Sequence, residues 1–218
     1  MSDSHREIMS TWSTSDSRDF GYFERFERQD ALDRFWSPSS RFRRCFDDWL
    51  DLTDTLEIAC GVGRHAAQIA DRCGTLSLID TSPAAIALAR QRFSGSANVT
   101  TVVSEDGLSL PFSSDAFSAI YSYDAMVHFE LLTVAAYIQE IARVLRHGGR
   151  ALVHHSNFGG NPGGRFDQNP SWRNFMPPGV VIHLADRNGL RVLQHQTFRW
   201  KNPWWSQKTD ALTVLERP

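Results

Sequence analysis

The sequence predicts an α/β fold, a mostly parallel sheet covered by helices on both faces, and three observations carry that expectation. From Thr55 onward, short apolar runs alternate with segments of helical periodicity. The first run breaks into a glycine turn, Gly61-Val62-Gly63. The next three runs each end in an acid: Asp80, Glu105-Asp106 and Asp124.

Each element follows from local pattern. Residues 1–19, rich in Ser, Thr and Asp, have little to bury and read as a mobile tail. Residues 20–36 and 41–50 place apolar side chains at helical spacing (Phe23, Phe26; Phe42, Cys45, Phe46, Trp49), and Pro38 separates them, so 20–50 form an N-terminal helical cap. A strand over 55–60 leads to a helix over 64–72 and a strand over 75–80. The helix over 83–93 is announced by Ser82 as N-cap and Pro83 at its first position. Strands over 99–104 and 117–122, a helix over 131–145 and a strand over 150–155 continue the βαβ rhythm. Right-handed crossovers then require a parallel sheet, with a ligand at the carboxyl ends of its strands. A helix over 180–188, a strand over 190–198 and a last strand over 209–215 complete the 52–218 core, without internal repeats.

The glycine turn announces a nucleotide-type cofactor. Gly61 and Gly63 remove side chains that would hold a ligand off the backbone, and a helix starting near Arg64 aims unpaired amides into the same crevice. With Ala66, the turn also fits the dinucleotide fingerprint, and Asp80 stands where an NAD-binding acid would. The three acid-terminated strands favour another ligand. Ribose hydroxyls, an exocyclic amine and a cationic centre suit them, and S-adenosylmethionine carries all three, whereas the diphosphate of NAD would be repelled.

From about Leu52 to the C-terminus the chain resembles the class I S-adenosylmethionine-dependent methyltransferases. Glu57-x-Ala59-Cys60-Gly61-x-Gly63 looks like their first motif, with alanine for the usual glycine at position 59. The resemblance implies a Rossmann-like sheet with an antiparallel last strand. It makes Asp80, with Thr81 beside it, the ribose-binding acid and Glu105-Asp106-Gly107 the adenine-binding turn. Leu145-Arg146-His147-Gly148-Gly149 resembles the turn before the fifth strand. Tyr123 completes the cofactor set.

Composition agrees. The 218 residues, 41% hydrophobic, suit one domain spanning 1–218. A formal charge of −2 and a pI near 6.4 lack the basic face that nucleic acid requires. Cys45, Cys60 and Cys73 are an odd count without C-x-x-C spacing, which points away from disulfides and zinc. No apolar run is long enough to span a membrane and no signal-peptide core is visible, so a cytoplasmic location is expected.

The segment 156–178 is too long for an ordinary connector and leaves from a strand end beside the expected cofactor, where long loops carry function. Its glycines and prolines exclude regular structure. Asn157, Arg165, Trp172 and Arg173 offer hydrogen bonds and flat surfaces to a carbohydrate, and the loop, with the N-terminal tail, would close over the acceptor. Trp200, Trp204 and Trp205 serve either sugar stacking or a homodimer contact. His154-His155-Ser156-Asn157 and the later Asn-Pro pieces are similar to methyltransferases of bacterial polysaccharide assembly, including a mycobacterial type acting on methylmannose polysaccharide precursors. That resemblance implies a sugar hydroxyl as acceptor.

A hydroxyl of high pKa needs a proton acceptor, while in-line positioning lowers most of the remaining barrier. His128, His154 and His155 are the candidates, and because adjacent strand residues face opposite ways, at most one of the last two faces the site. Asp124 would complement the sulfonium charge, hydrogen-bond the acceptor or, with a nearby histidine, hold Mg²⁺. The Ser-Tyr-Asp-Ala end of strand four differs from the Asn/Asp-Pro-Pro-Tyr motif of amine-directed enzymes and favours oxygen. The expected function is therefore sugar O-methylation. The alternatives are a non-sugar small-molecule methyltransferase, an NAD-dependent oxidoreductase and a cofactor-binding module without catalysis.

Overall fold

The computed structural model describes residues 29–199 and 207–218. The N-terminal tail, most of the first expected helix and all three tryptophans of the last hairpin lie outside them.

Two short helices open the described chain: α1 over Gln29–Phe35 and α2 over Arg41–Trp49. Ser40 caps α2, its hydroxyl accepting from the Arg43 amide at 3.0 Å. The sheet strands are β1 (Asp54–Ile58), β2 (Thr75–Asp80), β3 (Val99–Val103), β4 (Phe117–Ser122), β5 (Leu145–Ser156), β6 (Arg191–Phe198) and β7 (Asp210–Glu216). The helices between them are α3 (Pro83–Arg92), α4 (Leu131–Val144) and α5 (Val180–Arg187). The strand order is β3-β2-β1-β4-β5-β7-β6. The first five are parallel, and β7 runs antiparallel between β5 and β6. The class expected from the sequence, with its antiparallel last strand, is the fold observed.

Period-2 alternation divides the core into two layers. Leu56, Ile58, Ile120, Ala151 and Val153 face α4 and α5, whose Ile138, Ile141, Val181 and Ala185 complete one apolar layer. Leu76, Leu78, Tyr121 and Leu152 face the other way, against Ile86 and Ala89 of α3 and Phe42 and Phe46 of α2. The described part of the N-terminal cap thus covers a sheet face, and at its rim the Phe35 ring lies 4.3 Å from that of Tyr123 at the strand ends.

Two expectations are corrected. The segment 64–72 is not an α-helix but turns and two 3-10 pieces, Ala66–Gln68 and Ala70–Arg72, joined at Ile69, whose φ of −130° leaves helical space. Ile69 is buried at that break, and the Asn98 amide fastens the end of the segment by donating to the Ala70 and Cys73 carbonyls at 2.9 and 3.0 Å. A 3-10 turn, not an α-helix start, therefore stands behind the glycine turn. At the fifth strand, residues 145–149 belong to β5 as an irregularity: Phe117 pairs with Leu145 and Ala119 with Arg150. The left-handed Gly148, at φ 76°, lets the chain take up the excess.

Candidate active site

Strand order reverses between the parallel neighbours β1 and β4, whose successors run to opposite edges of the sheet, and a crevice opens at their carboxyl ends. Beyond β1 the backbone turns left-handed at Ala59, Gly61 and Gly63, with φ of 56°, 54° and 76°. Ala59 is therefore a strained residue as well as a narrow one. A Cβ on Gly63 would stand 2.7 Å from the Phe93 ring, which explains glycine there. Asp80, from β2, braces the turn. One of its carboxylate oxygens accepts from the Gly61 amide at 2.8 Å and the other from the Ser82 amide at 2.9 Å. Burial pushes its carboxyl above the ordinary value, with those amides opposing the rise.

Glu57, Ala59, Gly61, Asp80, Thr81, Gly107 and Tyr123 line the crevice, so seven of the expected cofactor residues are brought together. Gly63 supports the turn from behind. Glu105 and Asp106 do not line it. Asp106 turns back on its own loop, accepting from the amides of Leu108 and Ser109, both at 2.9 Å, and from the Ser109 hydroxyl at 2.7 Å. The wall on that side of the crevice comes instead from Ser104, whose hydroxyl accepts from the Gly107 amide at 3.1 Å.

Glu57 is buried beneath the crevice and accepts from the Tyr121 hydroxyl at 2.8 Å. Burial pushes its carboxyl up to about 8, against the Tyr121 bond and the Arg64 charge. A carboxyl raised on folding contributes stability at low pH that is lost as pH rises from its ordinary value of 4.5 through about 8. Glu57→Gln keeps an acceptor for Tyr121 and cannot ionise. Thermal melts of the cofactor-free protein should show the variant gaining on the wild type as pH rises through that window. Parallel curves would contradict a neutral Glu57.

The four expected catalytic side chains separate. Asp124 and His128 line the crevice. Asp124 has φ 57° and a buried side chain, with Arg64 Nη2 and Arg173 Nη2 each 3.9 Å from a carboxylate oxygen. His128 is buried and its Nδ1 lies 2.7 Å from the Trp172 carbonyl. A carbonyl only accepts, so Nδ1 carries the hydrogen and the neutral ring has its lone pair on Nε2. Burial pushes the His128 imidazolium below its ordinary pKa, outweighing the pull of Asp124.

His154 and His155 are corrected as bases by their hydrogen bonds. His154 Nδ1 accepts from the Asp124 amide at 3.1 Å and its Nε2 donates to Asp210 at 2.9 Å, which leaves the neutral ring no lone pair for an acceptor. His155 points to the opposite face, donating to the Ser156 carbonyl at 2.7 Å and accepting from Thr213 at 2.8 Å; burial pushes its pKa down to about 3. No group of three or more His, Cys, Asp or Glu among the described residues is arranged to hold a metal ion.

The expected substrate loop is fastened down and contains two 3-10 turns, Phe166–Gln168 and Pro170–Trp172. The Asn174 amide donates to Val127 at 2.9 Å, and the Ser156 hydroxyl to the Asn174 carbonyl at 2.7 Å. Asn157 bonds the Lys208 carbonyl at 2.8 Å, and Arg165 pairs with Asp167 at 3.1 Å. Arg173, expected to face an acceptor, is 2% exposed and forks onto Asp210 at 3.0 and 2.5 Å. Burial raises the Asp210 carboxyl, and His154 and Arg173 overcome it, holding the group below the usual carboxylate range. Of the four, Arg165 and Trp172 are exposed, and Trp172, at 49%, offers an aromatic face.

Sequence reasoning missed Arg64 and His65, which line the crevice directly after the glycines, and Asp210 beneath it. Position after the turn was a usable signal for the first two, and an acid opening the apolar run Ala211–Leu215 for the third. Among the described residues no helix is long and apolar enough to cross a membrane.

This sheet order, with a glycine turn after the first strand and an acid closing the second, defines an α/β domain of the kind that binds a cofactor at the carboxyl ends of its strands. Residues 55–149 match the family model described as a methyltransferase domain. The chain is 26% identical over 163 residues to the uncharacterized methyltransferase YodH of Bacillus subtilis (strain 168), covering 73% of this chain and 62% of that one. It is 31% identical over 101 residues to O-methyltransferase resE of Aspergillus sclerotiorum, covering 45% and 38%. It therefore spans less than two thirds of either relative. Geranyl diphosphate C-methyltransferase from Streptomyces coelicolor A3(2), solved with Mg²⁺, geranyl diphosphate and S-adenosyl-L-homocysteine, superposes with a TM-score of 0.72 at 16% identity, over 100% of this chain and 98% of that one. The PH0226 protein from Pyrococcus horikoshii OT3 gives 0.66 at 20%, over 87% and 92%. These two likenesses show the fold.

Proposed function

We propose that this chain is an S-adenosylmethionine-dependent O-methyltransferase acting on a hydroxyl of a sugar or similar small polyol, with His128 as the general base. The single observation that carries the reading is the buried, neutral His128 at the crevice, with its hydrogen held on Nδ1 by Trp172. When bound, the cofactor supplies an activated methyl group. The residues present fit it: the left-handed turn at Ala59, Gly61 and Gly63 brings backbone to the crevice floor, and the Asp80 oxygens at its edge would accept from ribose hydroxyls. Asp124 and Tyr123 would then flank the cationic centre. His128 Nε2 takes the proton as the acceptor oxygen attacks, and the exposed Trp172 indole offers the acceptor a flat apolar face.

The test is binding followed by turnover. S-adenosylhomocysteine should raise the melting temperature and NAD(H) should not, because a ligand of the native state alone stabilises it. A panel of saccharides and non-sugar alcohols, read by mass spectrometry with and without EDTA, should show one methyl gained on a hydroxylated acceptor. Stabilisation by NAD(H) alone would overturn the cofactor, and methylation confined to nitrogen or carbon acceptors would overturn the O-methyl reading.

A further inference from the structure

We propose that the buried Arg173–Asp210 pair is a positioning device for His128, holding the Ser171–Trp172 turn so that the Trp172 carbonyl keeps the ring hydrogen on Nδ1. The inference rests on the reading of His128 as the base. Ser171 and Trp172 are consecutive non-glycine residues in left-handed conformation, at φ 48° and 57°. Such backbone persists only where its surroundings over-determine it. The Trp172 indole, half exposed, does not supply that restraint; its buried neighbour does. Arg173 donates from Nη1 to the Ser171 carbonyl at 2.8 Å while Nε and Nη2 fork onto Asp210 at 3.0 and 2.5 Å. Asn169 closes the turn from the other side, taking the Trp172 amide at 3.1 Å and donating to the Arg173 carbonyl at 2.9 Å. With the turn so held, the Trp172 carbonyl meets His128 Nδ1 at 2.7 Å.

The same carboxylate sets the opposite wall of the crevice. Asp210 receives the His154 Nε2 hydrogen at 2.9 Å, and His154 Nδ1 in turn accepts from the Asp124 amide at 3.1 Å. Thr209 satisfies a further lone pair of Asp210 at 2.7 Å. One buried acid therefore reaches both Asp124 and His128 through intermediaries. Lysine at position 173 would keep the charge but could not span both Asp210 oxygens and the Ser171 carbonyl.

The experiment measures the His128 tautomer by ¹⁵N NMR of histidine-labelled full-length protein, with the resonance assigned by its loss in His128→Gln. In the wild type the Nδ1–H form should dominate. In Arg173→Lys and in Asp210→Asn the Nε2–H form should appear. Turnover should fall on the order of tenfold to a hundredfold, the scale of a misplaced catalytic group, with S-adenosylhomocysteine affinity retained. If either folded variant keeps the pure Nδ1–H form, the positioning role is overturned; two variants are used so that failure of one to fold leaves the other to decide. A tautomer shift with unchanged turnover would uphold the positioning role and overturn His128 as the base.

Discussion

His128→Gln is expected to lower turnover by about a hundredfold or more, the usual contribution of a positioned general base, while leaving S-adenosylhomocysteine bound. Glutamine keeps a donor for the Trp172 carbonyl but has no nitrogen that can accept a proton at neutral pH. The pH profile supplies an independent check. Burial lowers the His128 pKa from 6.5, so the base is neutral across the neutral range and wild-type turnover should fall only in acid, below that value. In the variant that acidic limb should disappear with the activity. His155→Gln is the control, because His155 faces the other layer and bonds Thr213; it should lose stability and keep turnover. Near-normal turnover of His128→Gln would remove the candidate histidine base, since His154 has both nitrogens engaged by Asp124 and Asp210.

Asp80→Ala should weaken cofactor binding by about 2 to 3 kcal/mol, the value of hydrogen bonds to a charged acceptor. That is a factor of roughly 30 to 150 in Kd, readable by calorimetry with S-adenosylhomocysteine. Asp80 acts twice: its oxygens line the crevice and hold the amides of Gly61 and Ser82. The alanine variant therefore also releases the glycine turn and should melt at a lower temperature. Asp80→Asn separates the two effects. An amide oxygen can retain one of the backbone bonds, so the variant should recover much of the stability and little of the affinity. An unchanged Kd for Asp80→Ala would contradict its placement against the ribose.

Where pattern and turn chemistry are local, the sequence was sufficient. Ser82-Pro83 starts α3 where expected, with the Ser82 hydroxyl accepting from the Ala85 amide at 3.2 Å. The buried run 117–122 is β4 to the residue. The acid at the end of β2 lies against the glycine turn, as a βαβ unit requires. The failures occur where distant residues compete with local preference. The segment expected as a helix over 64–72 breaks at the buried Ile69, and the Asn98 amide fastens its end through the Ala70 and Cys73 carbonyls. The Asp106 carboxylate chose the amides of its own loop over the crevice.

The three candidate histidines show the division most clearly. The sequence by itself determined an α/β sheet with a cofactor crevice at its carboxyl edge, and that of His154 and His155 one at most faces it, because side-chain alternation and turn formation are properties of neighbouring residues. Only the tertiary structure decided that Trp172 fixes the tautomer of His128, that Asp210 and Asp124 occupy both nitrogens of His154, and that Arg173 is buried beneath the acceptor face it was expected to line. Those pairings join residues 30 to 56 positions apart in sequence. They depend on strand register and on how a long loop packs back onto the sheet, which no local periodicity encodes.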